Sequence, residues 1–363
     1  MTTTRRDFIK RLLIGGGCLI FSPGPVYALV QKERQWYPAY AKLEEEGKLA
    51  ERVEQALSIF EACRLCPREC GVNRLDGEQG FCKAPSKVMV HTAQPHFGEE
   101  LSLVGQSGSG TIFFSNCNLR CVFCQNWPIA HKGEGNAVTD EELAKMMMFI
   151  QDLGCHNINL VTPTHVMPNI LNATRIAYHK GLRIPLVYNT SGYERVDIIK
   201  MLDGIVDIYL PDIKYMDGDM AAKYSSGAGD YPAVATAAVL EMNRQVGVHQ
   251  VDKRGIAHRG LIIRHLVMPN RVAGTKAFVK WVAENLPLNT YVNIMSQYHV
   301  DYKAFEYPKI ARGITVQEFL EAMDWAEESG LTQLDPKSLR ISDILSKSSE
   351  YWELRLMFAQ EDI

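Results

Sequence analysis

From about residue 105 onward, short apolar runs alternate with longer stretches in which apolar positions recur every three to four residues. The short runs cover residues 111–115, 157–161, 185–189, 205–210, 261–266 and 291–295. Each is rich in Ile, Val, Leu or aromatic residues, as expected of parallel strands covered on both faces. Between and after them the spacing predicts helices over 140–153, 166–180, 195–201, 235–248, 275–286 and 316–329. Thr139 caps the first of these, and Asp140, Glu141 and Glu142 place acids in its first turn. Strand and helix in strict alternation predict an α/β fold. Six β/α units fall short of the eight that close a TIM barrel, so the expected architecture is a partial (β/α)6 TIM-type barrel.

Upstream, residues 29–60 read as polar and helical, with Leu43, Leu49, Val53, Leu57 and Phe60 near one face. A compact cysteine-rich segment follows. The pattern divides the chain into a leader over 1–28, a helical and cysteine-rich accessory region over 29–104, the barrel over 105–330 and an extension over 331–363. The last part carries no clear pattern.

The leader has the layout of a twin-arginine signal. Arg5 and Arg6 precede Asp7, Phe8, Ile9 and Lys10, an apolar run follows over 12–21, and Ala28 ends a cleavage-like site. The run is too short and too Gly-rich to read as a membrane span. The expectation is a periplasmic or membrane-associated protein exported in the folded state. A basic N-terminal helix of a cytoplasmic protein is the alternative.

Composition adds little until the cysteines are counted. The 363 residues are 46% hydrophobic and 22% charged, enough apolar side chain for a large core. A net charge of −3 gives no basic footprint for nucleic acid, which is excluded as a partner. Of the nine cysteines, however, seven fall into two tight groups. In a chain this long, grouped cysteines read first as metal ligands rather than a disulfide framework.

The central group is Cys117, Cys121 and Cys124, on a loop directly after the first barrel strand. Functional groups of βα-barrels cluster on such loops. Iron–sulfur clusters take thiolate ligands, four for a four-iron cluster. Three leave one iron without a protein ligand, the open position of a reactive site, by analogy with catalytic zinc. S-adenosylmethionine (SAM) can fill it with its amino and carboxylate groups, and an electron from the cluster then breaks the C5′–S bond.

The spacing C-x3-C-x-aromatic-C, formed by Cys117, Cys121, Phe123 and Cys124, resembles the signature of the radical SAM superfamily. The resemblance implies a [4Fe–4S] cluster, SAM as cosubstrate, a 5′-deoxyadenosyl radical, a reductant such as a flavodoxin or ferredoxin, and a barrel of the radical SAM type. Over residues 63–330 the chain is similar to the glycyl-radical-enzyme activases, which include pyruvate formate-lyase activating enzyme, and most of all to their PflX-like branch. The segments that carry this are Asn157-Ile-Asn-Leu-Val-Thr-Pro-Thr-His165, Tyr188-Asn-Thr-Ser-Gly192, Tyr209-Leu-Pro-Asp-Ile-Lys214, Arg264-His-Leu-Val-Met-Pro-Asn270 and Asn293-Ile-Met-Ser-Gln-Tyr298.

The residues support a site for a zwitterion. Asp212 and Lys214 are two apart after a strand and share a face. Arg264 is a charge on an apolar strand, and such groups are costly inside a barrel unless paired or liganded. Lys214 or Arg264 would face the carboxylate or ribose side of SAM, with Asp212 balancing positive charge; an internal Asp–Lys pair without ligand contact is the alternative. Where the superfamily has Gly-Gly-Glu, this chain has Thr162, Pro163, Thr164 and His165. The hydroxyls of Thr162 and Thr164 could accept from the SAM ammonium. Activases place Asp-Thr-Asn-Gly after the third strand; here Asn189, Thr190 and Ser191 precede Gly192, and the first acid is lost. Tyr298 and His299 are candidates for the substrate side, His165 reads equally as a pocket or a helix-start residue, and Cys155 reads as a buried small residue.

The second group, Cys63, Cys66, Cys70 and Cys82, supplies four thiolates between turns rich in Gly and Pro. Four complete a zinc site or a closed iron–sulfur centre, and ligand softness does not separate the two. Disulfides are the alternative. The expected function is a radical SAM oxidoreductase that abstracts hydrogen from a substrate, which the activase likeness implies is a protein or peptide. The competing reading is an exported iron–sulfur electron-transfer protein without SAM chemistry, which has no use for an open iron.

Overall fold

Six parallel strands form the frame: β2 (Ser109–Phe114), β4 (Ile158–Val161), β5 (Leu186–Thr190), β6 (Ile208–Pro211), β8 (Ala257–Leu266) and β9 (Tyr291–Met295). They are seen in a computed structural model that describes residues 36–347. The twin-arginine segment lies outside the described residues. The strands are neighbours in the order β2-β4-β5-β6-β8-β9, which is the partial (β/α)6 barrel expected from the sequence. Every residue of β5 and β6 is buried, which is why these strands read as unbroken apolar runs.

The helices predicted from periodicity also form: α5 (Asp140–Asp152), α6 (Met167–His179), α7 (Val196–Met201), α9 (Tyr231–Val246), α10 (Thr275–Asn285) and α11 (Val316–Glu328). At α5, Thr139 and Glu142 complete a reciprocal capping box. The helical segment expected over 29–60 forms, as far as it lies in the described residues, two helices, α1 (Ala39–Glu45) and α2 (Lys48–Ser58). Gly47, at φ +72, separates them.

Three strands carried no sequence signal. β1 (Val88–His96) pairs antiparallel with β2 and with the short β3 (Asn136–Val138), and β7 (Gln250–Val251) pairs antiparallel with β8. Short helices α3 (Leu101–Val104), α4 (Trp127–Lys132) and α8 (Gly218–Tyr224) fill connections, and a helix over 336–347 starts inside the extension. Its approach adds one parallel bridge, Leu334 to Val292, at the free edge of β9. The core joins Phe60 and Leu65 of the accessory region to Ile112, Leu160 and Tyr188 of the barrel strands.

One buried carboxylate ties parts of this frame. Asp207 accepts from the backbone N–H of Ala39 at 2.9 Å and of Leu186 at 3.0 Å, joining α1 to the start of β5. Burial pushes its carboxyl up to about 7.

Candidate active site

The cysteine loop leaves β2 through Ser115 and Asn116, and Asn116 and Arg120 both adopt left-handed φ, +76 and +50. These turns fold the loop into a knot held from outside. Val122 N–H donates to Tyr224 O at 2.9 Å, Ser226 Oγ to Arg120 O at 3.0 Å, and Asn118 Nδ2 to Tyr193 O at 2.8 Å. Cys117 and Cys121 are buried and Cys124 is partly so; all three are free thiols. Donors point at the sulfurs: Leu119 N–H lies 3.4 Å from Cys117 Sγ and Ser225 Oγ 3.1 Å from Cys121 Sγ. Burial pushes the Cys121 thiol up to about 11 and Cys124 up to about 12. A bound cationic centre would supply the charge that lets such thiols ionise.

Among the described residues, no three Cys, His, Asp or Glu side chains close on a single-ion position. A mononuclear site requires that. A four-iron cluster places its thiolates on separate irons, so its ligands surround a volume rather than a point. Three soft donors with hydrogen bonds already aimed at sulfur fit such a cluster.

The loop opens on a cavity of about 610 Å³ at the carboxyl ends of the strands. Its size suits a ligand as large as SAM. Phe123, Thr162, Asn189, Thr190, Ser191, Asp212, Lys214 and Arg264 all line it, as do Tyr298 and His299. Thr164 does not, and the expectation that it faces the SAM ammonium is corrected. Its hydroxyl donates to Glu194 Oε1 at 2.5 Å, and Thr190 Oγ1 donates to the same oxygen. His165 is likewise turned away: it is buried, its Nε2 lies 2.7 Å from Ser115 O, and its own carbonyl accepts from Arg74. Cys155 is buried as expected.

One charge network spans the cavity. Asp212 accepts from Arg264 Nε at 2.8 Å and Lys214 Nζ at 2.6 Å. Arg264 also donates to Asn189 Oδ1 at 2.6 Å and to Glu99 Oε2 at 3.1 Å. Asn189 Nδ2 in turn reaches Glu99 Oε1 at 3.4 Å, so the amide both accepts and donates. An aspartate here could not donate, which gives the departure from the activase pattern a physical reason. Burial works against ionisation of Asp212, but Arg264 and Lys214 together hold its carboxyl below the usual range. The internal Asp–Lys pair therefore exists, and it lines the cavity rather than lying sealed beneath it. Lys214 and Arg264 retain further N–H groups beyond those engaged.

Glu99 and Glu100, on the segment between β1 and α3, were not singled out in the sequence. Burial raises the Glu100 carboxyl, whose Oε1 accepts from Asn293 Nδ2 at 2.8 Å. Lys337 donates to the Glu99 carbonyl at 2.5 Å, and Ser338 Oγ to Asn293 Oδ1 at 3.1 Å, so the extension also walls the cavity. Gly192 permits a close approach: its φ is +79, and a Cβ there would lie 2.3 Å from Asp212 O.

Glu194, fully buried behind Thr190, is pushed up to about 7 by desolvation. The native state thus holds its proton more tightly than the unfolded chain. The associated stability is full below the unfolded value of ~4.3 and is lost as pH rises through 7. Relative to wild type, Glu194→Gln should gain roughly 3 kcal/mol between pH 5 and pH 8, because the amide has no proton to lose. Denaturant melts across that range check the difference.

The accessory cysteines are also free, and Cys66 and Cys82 lie close enough to the others of the group to feel their charge. Backbone N–H groups of Arg68 and Ala84 reach the Cys66 and Cys82 sulfurs, and Phe81 N–H lies 3.2 Å from Cys70 Sγ. Burial pushes Cys66 up to about 12. No disulfide forms among them.

A family model described as the radical SAM superfamily matches residues 111–251. The uncharacterized protein MJ0674 of Methanocaldococcus jannaschii is 33% identical over 290 residues, covering 77% of this chain and 78% of its own. A second uncharacterized protein of that organism, MJ0808, is 23% identical over 286 residues, covering 71% and 79%. Among solved structures, TYW1 with a lysine-pyruvate adduct bound matches at a TM-score of 0.40 and 13% identity, over 60% of this chain and 73% of that one. A score so low carries no argument. The family match starts in β2 and runs through the cysteine loop, and MJ0674 aligns across most of both chains; the chain therefore belongs to the radical SAM superfamily, which implies a [4Fe–4S] cluster and reductive cleavage of SAM to begin radical chemistry.

Proposed function

We propose that Cys117, Cys121 and Cys124 hold the cluster, that SAM lies in the adjoining cavity, and that the radical abstracts hydrogen from a protein or peptide, as the glycyl-radical-enzyme activases do. The observation that carries this reading is the placement of the three-cysteine loop on a 610 Å³ cavity crossed by Asp212, Lys214 and Arg264. When bound, the cluster supplies the electron that cleaves the C5′–S bond of SAM. The chain's own residues bind and orient. Lys214 and Arg264, anchored by Asp212, offer their remaining N–H groups to the SAM carboxylate or ribose. Phe123, packed 6.0 Å from Tyr298 and 6.3 Å from Tyr215 between ring centroids, closes the apolar side of the site against water. Tyr298 is itself fixed by a hydrogen bond to Ile310 O at 2.7 Å.

The accessory cysteines form, in this reading, a second metal centre of zinc or iron–sulfur type. Their sulfurs accept backbone N–H groups as metal-bound thiolates do. The reductant is a flavodoxin or ferredoxin, and the leader directs twin-arginine export.

The test is anaerobic reconstitution of the full chain, reduction with dithionite and incubation with SAM, with iron and zinc counted in the same preparation. Formation of 5′-deoxyadenosine is expected. A reduced, iron-loaded protein that leaves SAM intact is an electron carrier instead.

A further inference from the structure

Arg68 lies between Cys66 and Cys70, yet its guanidinium reaches the other cysteine group. Its Nε donates to Asn118 O at 3.1 Å and its Nη2 to Ser225 O at 3.2 Å. The Phe81 ring lies 4.0 Å away on the accessory side and the Tyr193 ring 5.3 Å away on the barrel side. Each carbonyl is directly joined to a group that addresses a central sulfur. Asn118 O and Leu119 N–H are two ends of one planar peptide. That N–H donates to Cys117 Sγ at 3.4 Å. Ser225, held by its backbone carbonyl, turns its hydroxyl onto Cys121 Sγ at 3.1 Å, and Tyr215 Oη lies 3.0 Å from the same hydroxyl.

We propose that Arg68 is a positioning residue of the cluster site: its fork fixes one hydrogen-bond donor on each of Cys117 and Cys121 and so sets the reduction potential of the cluster these thiolates hold. The proposal rests on the cluster assignment above and adds to it a tuning element contributed by the accessory loop. Hydrogen bonds to cluster sulfurs stabilise the reduced, more negative state and raise the potential. A guanidinium beside the loop acts in the same direction. The geometry calls for arginine, because two carbonyls and two ring faces need a planar group with several donors, which an ammonium does not provide.

The experiment is a redox titration of the anaerobically reconstituted full chain, following by electron paramagnetic resonance the signal that responds to SAM. Arg68→Ala should retain the cluster but move its potential negative by about 59 mV or more, a tenfold loss of reduced cluster at fixed reductant potential. Arg68→Lys keeps the charge without the fork and should fall between. Ser225→Ala removes one sulfur-directed donor while leaving Arg68 intact, and should shift the potential in the same direction by less. An unmoved potential in Arg68→Ala, with only a lower melting temperature, makes Arg68 a structural latch and overturns the proposal. Should Arg68→Ala not fold, unmoved potentials in both Arg68→Lys and Ser225→Ala overturn it equally. Wild-type protein with no SAM-responsive signal defeats the cluster assignment itself, before any variant is compared.

Discussion

Cys117→Ala should lower 5′-deoxyadenosine formation by roughly a thousandfold or more, ~4 kcal/mol in the barrier. The argument is one of ligand number. With three thiolates, one iron is open to SAM while the cluster stays anchored. With two, a second iron loses its protein ligand and the cluster is no longer held in one orientation against the cavity. Iron content of the variant should fall with the product. Cys117 is buried in an apolar cluster with Leu119 and Phe123, whose side chains offer no ligand in its place. Product measured by chromatography and iron measured on the same sample check the result together. Full product with full iron would remove Cys117 from the ligand set.

Arg264→Ala has the largest expected effect on stability. Arg264 is 15% exposed and makes three contacts, to Asp212, Glu99 and Asn189. Its removal leaves Glu99 with a single 3.4 Å contact from Asn189 and Asp212 with Lys214 alone. Breaking a buried ion pair from one side costs about 3–5 kcal/mol, because the partner's charge remains uncompensated. Denaturant unfolding should show that loss. Arg264→Lys should recover only part of it, since one ammonium cannot reach three acceptors in the guanidinium's geometry. Binding of SAM should weaken in both variants. A melt within about 0.5 kcal/mol of wild type, the range of ordinary surface substitutions, would mean that the network is not coupled as described.

The barrel was legible because its strands are buried on both sides. β4, β5 and β6 expose no face to solvent, and the helices between them keep an apolar stripe, so type and order could be read directly. β1 escaped notice for the opposite reason. It flanks the barrel, its burial varies along its length, and Pro95 interrupts it near the end. β3 and β7 are too short to carry any pattern.

The candidate site divides in the same way. Asp212, Lys214 and Arg264 stood out because charge on an apolar strand demands a partner, and each has one. Glu99 and Glu100 sit in a turn, where acids are unremarkable in sequence; only the fold carries them to Arg264 and Asn293. Thr164 was misread because its partner, Glu194, lies thirty residues away and across a strand, beyond any local spacing rule. Arg68 gave no signal for the same reason. Its neighbours in sequence are the accessory cysteines, and its contacts are Asn118 and Ser225.

The most direct measurement is the electron paramagnetic resonance spectrum of the reduced, reconstituted protein before and after SAM is added. If SAM coordinates the iron that lacks a cysteine, the spectrum must change, and the change must be absent in Cys117→Ala. A full cluster signal that SAM leaves untouched would contradict the account at its root.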